Sequence, residues 1–472
     1  MASVNLQAII LAAGKSTRFN TSKTKLSFTL CGQEMLFYPL KLLLHLTIKP
    51  HLVLGYQKER ILSLLEKNSI NLPFTEQREQ KGTGHALLCT RERWNADHIL
   101  VMNGDMPLLS EGVIQSLIER HKEKDATISL VIAHNSDPSV TGYGRIVKQN
   151  DRISIVEARD FTGDSSVDCC LNAGIYIFKR SFLERTLPKL QPTNTNGELY
   201  ITDLIKKASE ADETIELISA PFDSIRGVNT LQDLWIAEQI KRADIIRSWM
   251  SQGVRFTAPQ TAHIDYGVTL EPDTTINAGV QLRGTTHVGR NCFIDAFSII
   301  TNTRLHENVI VHPHSIISDS EIYKDSQVGP FAHIHHKTTV QDNSVIGNFV
   351  EVTRSSVGIQ SKIKHLAYVG DTFIGSHVNI GAGTVICNYN GISKNPTIIE
   401  DNAQIGSNSS LIAPLTIGKE SFIGAGSVIT KNVPSHALAL SRSEQVIKEQ
   451  YAPKLKEKYR KVSIKHSECE NT

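Results

Sequence analysis

A six-residue rhythm of aliphatic side chains governs the second half of this 472-residue chain. Ile264, Leu270, Ile276, Leu282, Val288, Ile294 and Ile300 fall six apart without a gap. After a phase shift, so do Ile316, Ile322, Val328, Ile334, Val340, Ile346 and Val352, and a third run is Ile399, Ile405, Leu411, Ile417, Ile423 and Ile429. A period of six fits neither the 3.6 of an amphipathic helix nor the 2 of a simple strand. It is the hexapeptide signature of a parallel β-helix, with one aliphatic pointing inward from each face of a triangular coil. These residues are core. Chemistry is expected where the rhythm breaks, as in NYNGISKNP (388–396), which reads as a loop projecting from the coil. Such coils have open ends and flat faces, so association between copies is expected.

The first half, to about residue 229, has another pattern. The short apolar runs AIIL (8–11), HLVLGY (51–56), HILVMN (98–103) and ATISLVIA (126–133) alternate with helical stretches such as 34–46 and 111–124. Strands alternating with helices predict an α/β domain with a mostly parallel sheet, whose ligands sit at the carboxyl ends of the strands. Residues 230–252 carry Leu234, Trp235, Ala237, Ile240, Ala243, Ile245 and Ile246 at helical spacing, which predicts a linker helix ending near Gly253. Residues 441–472 are charged and aperiodic and read as a C-terminal extension.

Composition narrows the function classes. Fifty Lys and Arg against 48 Asp and Glu give a net charge of +2, with no global attraction for nucleic acid or an anionic membrane. Seven cysteines spread over so long a chain argue against a disulfide framework and for a reducing compartment, so a cytoplasmic protein is expected. No apolar run reaches the ~18–20 residues of a membrane span.

Two motifs in the first half carry chemistry. LAAGKSTRF (11–19) follows a strand, and its small residues Ala12, Ala13 and Gly14 let a base or phosphate approach the backbone. Lys15, Arg18 and Lys25 add cations suited to a triphosphate, although a tight turn with solvated Lys and Arg has the same composition. In NGDMPLL (103–109), Asp105 ends an apolar strand, where a carboxylate is placed to hold Mg²⁺ against phosphates or simply to close a turn.

LAAGKSTRF with Lys25, then QKGTGHA, NGDMPLL, TGYGRI, VEARD, LNAGIY, GELYITD and RGVNT, resembles the sugar-1-phosphate nucleotidyltransferases in order and spacing. With the hexapeptide half, the chain resembles over residues 5–445 the bifunctional bacterial N-acetylglucosamine-1-phosphate uridyltransferase/glucosamine-1-phosphate acetyltransferase family. The resemblance implies a Rossmann-like α/β nucleotidyltransferase domain over 1–229 and a linker helix over 230–252. A left-handed parallel β-helix acetyltransferase domain over 253–440 and an extension over 441–472 follow. It implies that Leu11, Ala12, Ala13, Gly14, Gln77, Gly82 and Thr83 hold the uracil nucleotide and that Lys25 and Arg18 face the triphosphate of UTP. It further implies that Asp105 and Asn229 ligate Mg²⁺, and that Gly144, Glu157 and Asn172 hold N-acetylglucosamine 1-phosphate.

For the acetyl transfer, KHLAYVGD (364–371) resembles the family's catalytic motif, with His365 as base. The amine of glucosamine 1-phosphate is largely protonated at neutral pH, and an imidazole titrating near 6.5 suits its deprotonation. By resemblance, Tyr368, Asn379 and Lys394 contact the acceptor sugar. Ala382, Asn388, Tyr389, Ser407, Ala425 and Arg442 surround acetyl-CoA, at a site formed between β-helices of a homotrimer.

The chain departs from the family at several positions. His335 stands where the family has Arg, and Thr353 where it has Lys, both at the acceptor-phosphate site. Loss of charged hydrogen bonds, roughly 1.5–3 kcal/mol each, predicts weaker acceptor binding, with His333, His336 and Arg354 near enough in sequence to compensate in part. Thr24 replaces a Pro and Asn103 a Tyr, both tolerable where backbone geometry is kept. The competing expectation is a uridyltransferase alone, whose β-helix serves oligomerisation or acetylates another amino-sugar.

Overall fold

A computed structural model describes residues 5–15, 17–137, 140, 142–150, 152–158, 160–161, 170–192 and 197–469. Ser16, Thr141 and Arg159 of the quoted motifs lie outside the described residues. The chain divides into two compact units, residues 1–290 with 299–302, and residues 291–298 with 303–472.

The first unit opens on the expected α/β sheet. Its strands are β1 (Leu6–Ala12), β2 (Pro50–Leu54), β3 (Phe74–Glu76), β4 (His98–Asn103), β5 (Ile128–His134), β6 (Cys170–Lys179) and β7 (Ile215–Ser219), in the spatial order β7-β5-β6-β4-β1-β2-β3. Along this path all pairings are parallel except those of β6, which runs antiparallel to β4 and β5, and off the path an antiparallel hairpin, Arg145–Gln149 with Arg152–Val156, joins the sheet at β6. The apolar runs read from sequence fall on β1, β2, β4 and β5. Helices α1 (Phe37–His45) and α2 (Glu111–Glu123) turn Leu40, Leu43, Ile114 and Leu117 onto one face of the sheet, among Ile10, Leu52, Leu100 and Met102. The other face packs Ile9, Val53, Val101 and Leu130 against Leu183, Leu204 and Ile205.

An imidazole pair, His121 buried and His98 half-buried, ties α2 to the sheet. His121 Nδ1 lies 2.8 Å from Ser129 Oγ and its Nε2 lies 2.9 Å from His98 Nδ1. Burial, and then the neighbouring His98, depress His121 to about 4. It therefore stays neutral in the folded chain, while the unfolded chain takes up its proton below about 6.5. Stability is lost as pH falls from 6.5 toward 4, a term on the order of 3 kcal/mol at about 1.4 kcal/mol per pH unit. Unfolding of this unit at pH 7 and pH 5 should show the loss, and His121→Gln should flatten it.

A helix, α3 (Leu231–Ser251), follows the sheet. It begins with a capping box in which Thr230 and Asp233 satisfy each other's backbone N–H groups. Within the same unit the first coils follow, with strand Arg255–Phe256 on Thr275–Ile276, His263–Ile264 on Gln281–Arg283, and Thr269–Leu270 on His287–Val288. These coils dock on the α/β domain: the Tyr266 N–H donates to Cys31 O (2.8 Å), and its ring meets Tyr38 edge-on at 5.2 Å.

The second unit is a coil of three parallel ladders, for example His333–His335 on Glu351–Thr353 on Tyr368–Gly370. Nearly all the periodic aliphatics point inward and are buried. One does not. Ile316 is 45% exposed and its neighbour Ile317 is fully buried, while Leu305 and Val311 extend the inward run backward. The phase shift is a matter of corner length. Where the inward step shortens to five, at 300→305, 317→322, 352→357 and 369→374, the corner carries a left-handed residue: Asn302, Asp319, Arg354 and Asp371. Stacked hydroxyls reinforce the coil from inside, with Ser326, Ser344 and Ser361 donating to Gln341, Gly358 and Gly375 carbonyls at 2.7–2.8 Å.

The expected excursion is present. After strand Val385–Cys387 the chain leaves the coil and returns at Thr397–Ile399, closed by a Tyr389–Lys394 bridge, with Ile392 92% exposed at its tip. The C-terminal extension contains α4 (Tyr451–Cys469), a helix that lack of an apolar period concealed. Lys-rich composition and the Glu457–Lys461 pair one turn apart (2.8 Å) favour it. Among the described residues, no helix is long and apolar enough to cross a membrane.

Candidate active sites

The first site lies where β1 and β4 end. Ala12 and Ala13 are buried as the chain leaves the sheet, and a Cβ on Gly14 would meet nothing within 4 Å, so this segment forms a flat wall. Opposite, Gly82 adopts φ +95°, and a side chain there would strike the Leu199 carbonyl, so only glycine fits. Gln77 is buried between them, its Nε2 donating to Gly82 O (3.1 Å) and lying 3.0 Å from His85 Nδ1. Leu11, Ala12, Ala13, Gly14, Arg18, Lys25, Gln77, Gly82, Thr83, Asp105 and Asn229 all line one cavity of about 640 Å³. An adjoining lobe of about 260 Å³ shares Leu11, Arg18, Thr83, Asp105 and Asn229 and adds Gly144, Glu157 and Asn172. Every first-half residue expected at the nucleotide, sugar or metal thus lines this pair of lobes.

Partners that sequence reading missed fix the second lobe. Thr202 Oγ1 donates to Glu157 Oε1 (2.7 Å), and Asn172 Nδ2 to Tyr176 OH (2.6 Å). Tyr143, inside the TGYGRI motif, accepts from Gly227 N–H (2.9 Å), and burial pushes its phenol up to about 12, so it stays protonated. Their only sequence signal was membership of the quoted motifs GELYITD, LNAGIY and TGYGRI.

Two backbone ties set Asp105 and Asn229. Gly104 N–H donates to Leu11 O (3.0 Å), and Val228 N–H donates to Asp105 O (3.0 Å). Asn229 is further held by Asp233 Oδ2, which accepts its N–H (3.1 Å) at the start of α3. The Lys25 ammonium is ion-paired with Asp105 Oδ2 and donates to Asn229 Oδ1 (3.0 Å). Both oxygens therefore converge on one cation. A carboxylate and an amide oxygen are hard donors that fit Mg²⁺, which keeps waters and takes its remaining ligands from phosphates. Lys25 was expected to face the triphosphate; here its ammonium bridges the two oxygens on the cavity wall.

The second site runs along one edge of the coil. His365 ends strand Lys362–His365, and its Nδ1 lies 2.5 Å from Oδ1 of Asn348, its register partner one coil earlier. Asn348 was not singled out in the sequence; only stacking of successive coils brings it there. As an acceptor its carbonyl places the proton on Nδ1 and leaves the Nε2 lone pair available. Later coils repeat this corner. Gly383 N–H donates to His365 O, Asn408 N–H to Ala382 O, Gly426 N–H to Ser407 O, and Arg442 Nη1 to Ala425 O. His365, Ala382, Ser407, Ala425 and Arg442 are thereby one vertical column, small and shallow above the imidazole.

Beyond the Leu366 corner, Tyr368 lies on the next face. Asn388 is buried, with Nδ2 donating to Asp371 Oδ2 (2.6 Å) and directed at Tyr368 OH (3.4 Å). Tyr389 and Lys394 sit on the excursion, Tyr389 OH donating to Gly391 O (2.7 Å), and Asn379 faces outward from strand Asn379–Ile380. His365, Asn379, Tyr389, Lys394, Ser407, Ala425 and Arg442 are all exposed, so within one chain they form an open edge.

The departures have structural consequences. Thr353 is buried and accepts from Arg354 Nη1 (3.0 Å). Arg354 does not compensate for the missing Lys: it is committed to Asp371 through two bonds of 2.7 and 3.0 Å, which hold the Asp371 carboxyl below its usual range. His335 is engaged by Glu351 and His336.

Residues 8–163 match the family model of the MobA-like NTP transferase domain, and residues 396–431 match that of six bacterial transferase hexapeptide repeats. The chain is 39% identical over 448 residues to a bifunctional protein GlmU of Thermotoga petrophila, covering 94% of this chain and 98% of that one. It is 40% identical to one of Prochlorococcus marinus over 94% and 97% of the two chains. It is 37% identical to one of Koribacter versatilis over 96% and 97%. Likeness of this extent spans both halves at once, and it makes the chain a member of the bifunctional GlmU family.

Proposed function

We propose that the chain makes UDP-N-acetylglucosamine in two transfers. The β-helix region, residues 253–440, moves an acetyl group from acetyl-CoA to glucosamine 1-phosphate. The α/β domain, residues 1–229, then moves UMP from UTP to N-acetylglucosamine 1-phosphate and releases pyrophosphate. The observation that carries the reading is the convergence of Asp105, Asn229, Lys25 and Arg18 on one double-lobed cavity, with a separate imidazole column on the coil.

In the uridylyl transfer the sugar 1-phosphate is already an anionic nucleophile, so positioning and charge neutralisation supply the catalysis. The wall at Leu11–Gly14, with Gln77, Gly82 and Thr83, seats the nucleotide. Gly144, Glu157 and Asn172 seat the sugar in the adjoining lobe. Lys25 and Arg18 offset phosphate charge, and Asp105 and Asn229 are the oxygens that hold Mg²⁺. Once bound, that ion neutralises charge on the reacting phosphates. In the acetyl transfer, His365 Nε2 takes a proton from the attacking amine as its nitrogen bonds to the thioester carbonyl. The C–S bond then breaks, and the proton passes to the departing CoA thiolate. Tyr368, Asn379 and Lys394 hold the acceptor, while Ala382, Asn388, Tyr389, Ser407, Ala425 and Arg442 flank acetyl-CoA.

A homotrimer fits the open edge. The same corner in earlier coils carries an exposed stack of Phe297, His314, Phe331 and Phe349, with ring centroids 5.0–5.3 Å apart, an apolar strip that a second copy covers. Sedimentation of the chain should give a trimer, with Phe331→Glu shifting it toward monomer.

One incubation tests the whole reading: UTP, Mg²⁺ and acetyl-CoA with either glucosamine 1-phosphate or its N-acetylated form, all products identified by mass. UDP-N-acetylglucosamine should arise from both acceptors. With His335 and Thr353 in place of two cations and Arg354 committed elsewhere, the acetyl transfer at low acceptor concentration should be at least about tenfold slower than uridylyl transfer. Comparable rates would refute that asymmetry. Release of pyrophosphate without any acetylated product would favour the uridyltransferase-only reading.

A further inference from the structure

Strand His333–His335 presents its side chains alternately: Ile334 is fully buried, while His333 and His335 stand on the outer face. Their rings are parallel within 2°, with centroids 4.1 Å apart. The register partner of His333 on the next coil is Glu351, whose Oε1 lies 3.1 Å from His335 Nε2. One potential ligand atom from each of the three residues lies within 4.8 Å of the others. Ligand atoms around a four-coordinate zinc ion are roughly 3.3 Å apart, given metal–ligand bonds of about 2.0–2.1 Å. The His335–Glu351 pair already has that spacing, and a small rotation of the exposed His333 ring completes the set.

We propose that His333, His335 and Glu351 form a second metal site, distinct from the uridylyl-transfer centre, for a divalent transition ion of the zinc class. The donor set decides the class. Two imidazole nitrogens and one carboxylate favour Zn²⁺ or Co²⁺, whereas Mg²⁺ and Ca²⁺ prefer oxygen. The fold supplies the preorganisation: i and i+2 on one strand share a face, and ladder register brings the carboxylate beside them. His336 lies against the other ring nitrogen of His335 and serves as its outer hydrogen-bond partner, the usual support for a ligating imidazole. Three protein ligands leave a fourth position open. In the sequence His335 stood out only as the replacement for a missing Arg, and His333 only as its neighbour; the site becomes visible once adjacent coils are stacked.

The test uses the full, untagged chain, stripped with a chelator and titrated with Co²⁺ in excess Mg²⁺, which occupies the oxygen-rich centre. The visible d–d absorption of four-coordinate cobalt should rise to saturation at one equivalent and be bleached by Zn²⁺. His333→Asn and Glu351→Gln should each weaken Co²⁺ binding at least about tenfold, as loss of one ligand in three requires. Both variants should keep uridylyl transfer, which reports an intact fold. No visible band, or a band unchanged in the His333→Asn, His335→Asn double variant, would overturn the proposal.

Discussion

Asp105→Asn should lower uridylyl transfer by roughly two to three orders of magnitude, since a cation clamp on reacting phosphates is worth several kcal/mol. The substitution keeps the shape and an acceptor oxygen but removes the only carboxylate of the Asp105–Asn229 pair. It also releases the Lys25 ammonium from its ion pair, and that ammonium remains near Asn229 to meet the triphosphate. The loss should therefore appear in kcat more than in the KM for UTP. Acetyl transfer by the same preparation should be unchanged, which excludes misfolding. Pyrophosphate release assayed at saturating Mg²⁺ decides the matter, and an unchanged rate would remove Asp105 from the centre.

His365→Ala should abolish most acetyl transfer, a fall of about 10²–10⁴, the range that a positioned general base contributes. Uridylyl transfer measured in the same tube should continue at its original rate. Asn348 acts on this step through the imidazole, as a positioning residue. Asn348→Ala should cost about tenfold, because the ring loses the acceptor that fixes its tautomer, and Asn348→Asp, which keeps that acceptor, should recover most of it. Acetyl transfer that survives His365→Ala would place the base elsewhere. Equal rates for the two Asn348 variants would reduce that residue to a packing role.

The fold was legible because its two halves obey different periods. Inward residues such as Ile346 and Ile405 had to face a core whatever the details, and β1, β2 and β4 were bounded by turns that the composition marks. Corner length was hidden. Whether Ile316 or Ile317 points inward depends on whether the corner before Ile322 spans six residues or five, and an aliphatic pair leaves both phases open. The nucleotide-side residues were legible because they cluster in short motifs at strand ends. Asn348 and Thr202 were not, since each meets its partner only across coils or elements, and Tyr176 reaches Asn172 on its own strand only through an irregularity of register. Lys25 shows the same limit: its membership of the cavity could be read, but not its choice of Asp105 and Asn229 as partners.

The stacked hydroxyls of Ser326, Ser344 and Ser361 each reach one turn upward and no further. Cohesion in this region is therefore nearest-neighbour, as in a one-dimensional stack. Length should change in quanta: deletion of one complete turn lets the turns above and below join through equivalent bonds. Removal of a single residue instead rotates everything downstream and exposes an aliphatic, as the Ile316 and Ile317 pair already illustrates in miniature. The imidazole edge and its neighbours span several turns, so a whole-turn deletion below Phe331 should spare acetyl transfer, while one between Asn348 and Ser407 should end it.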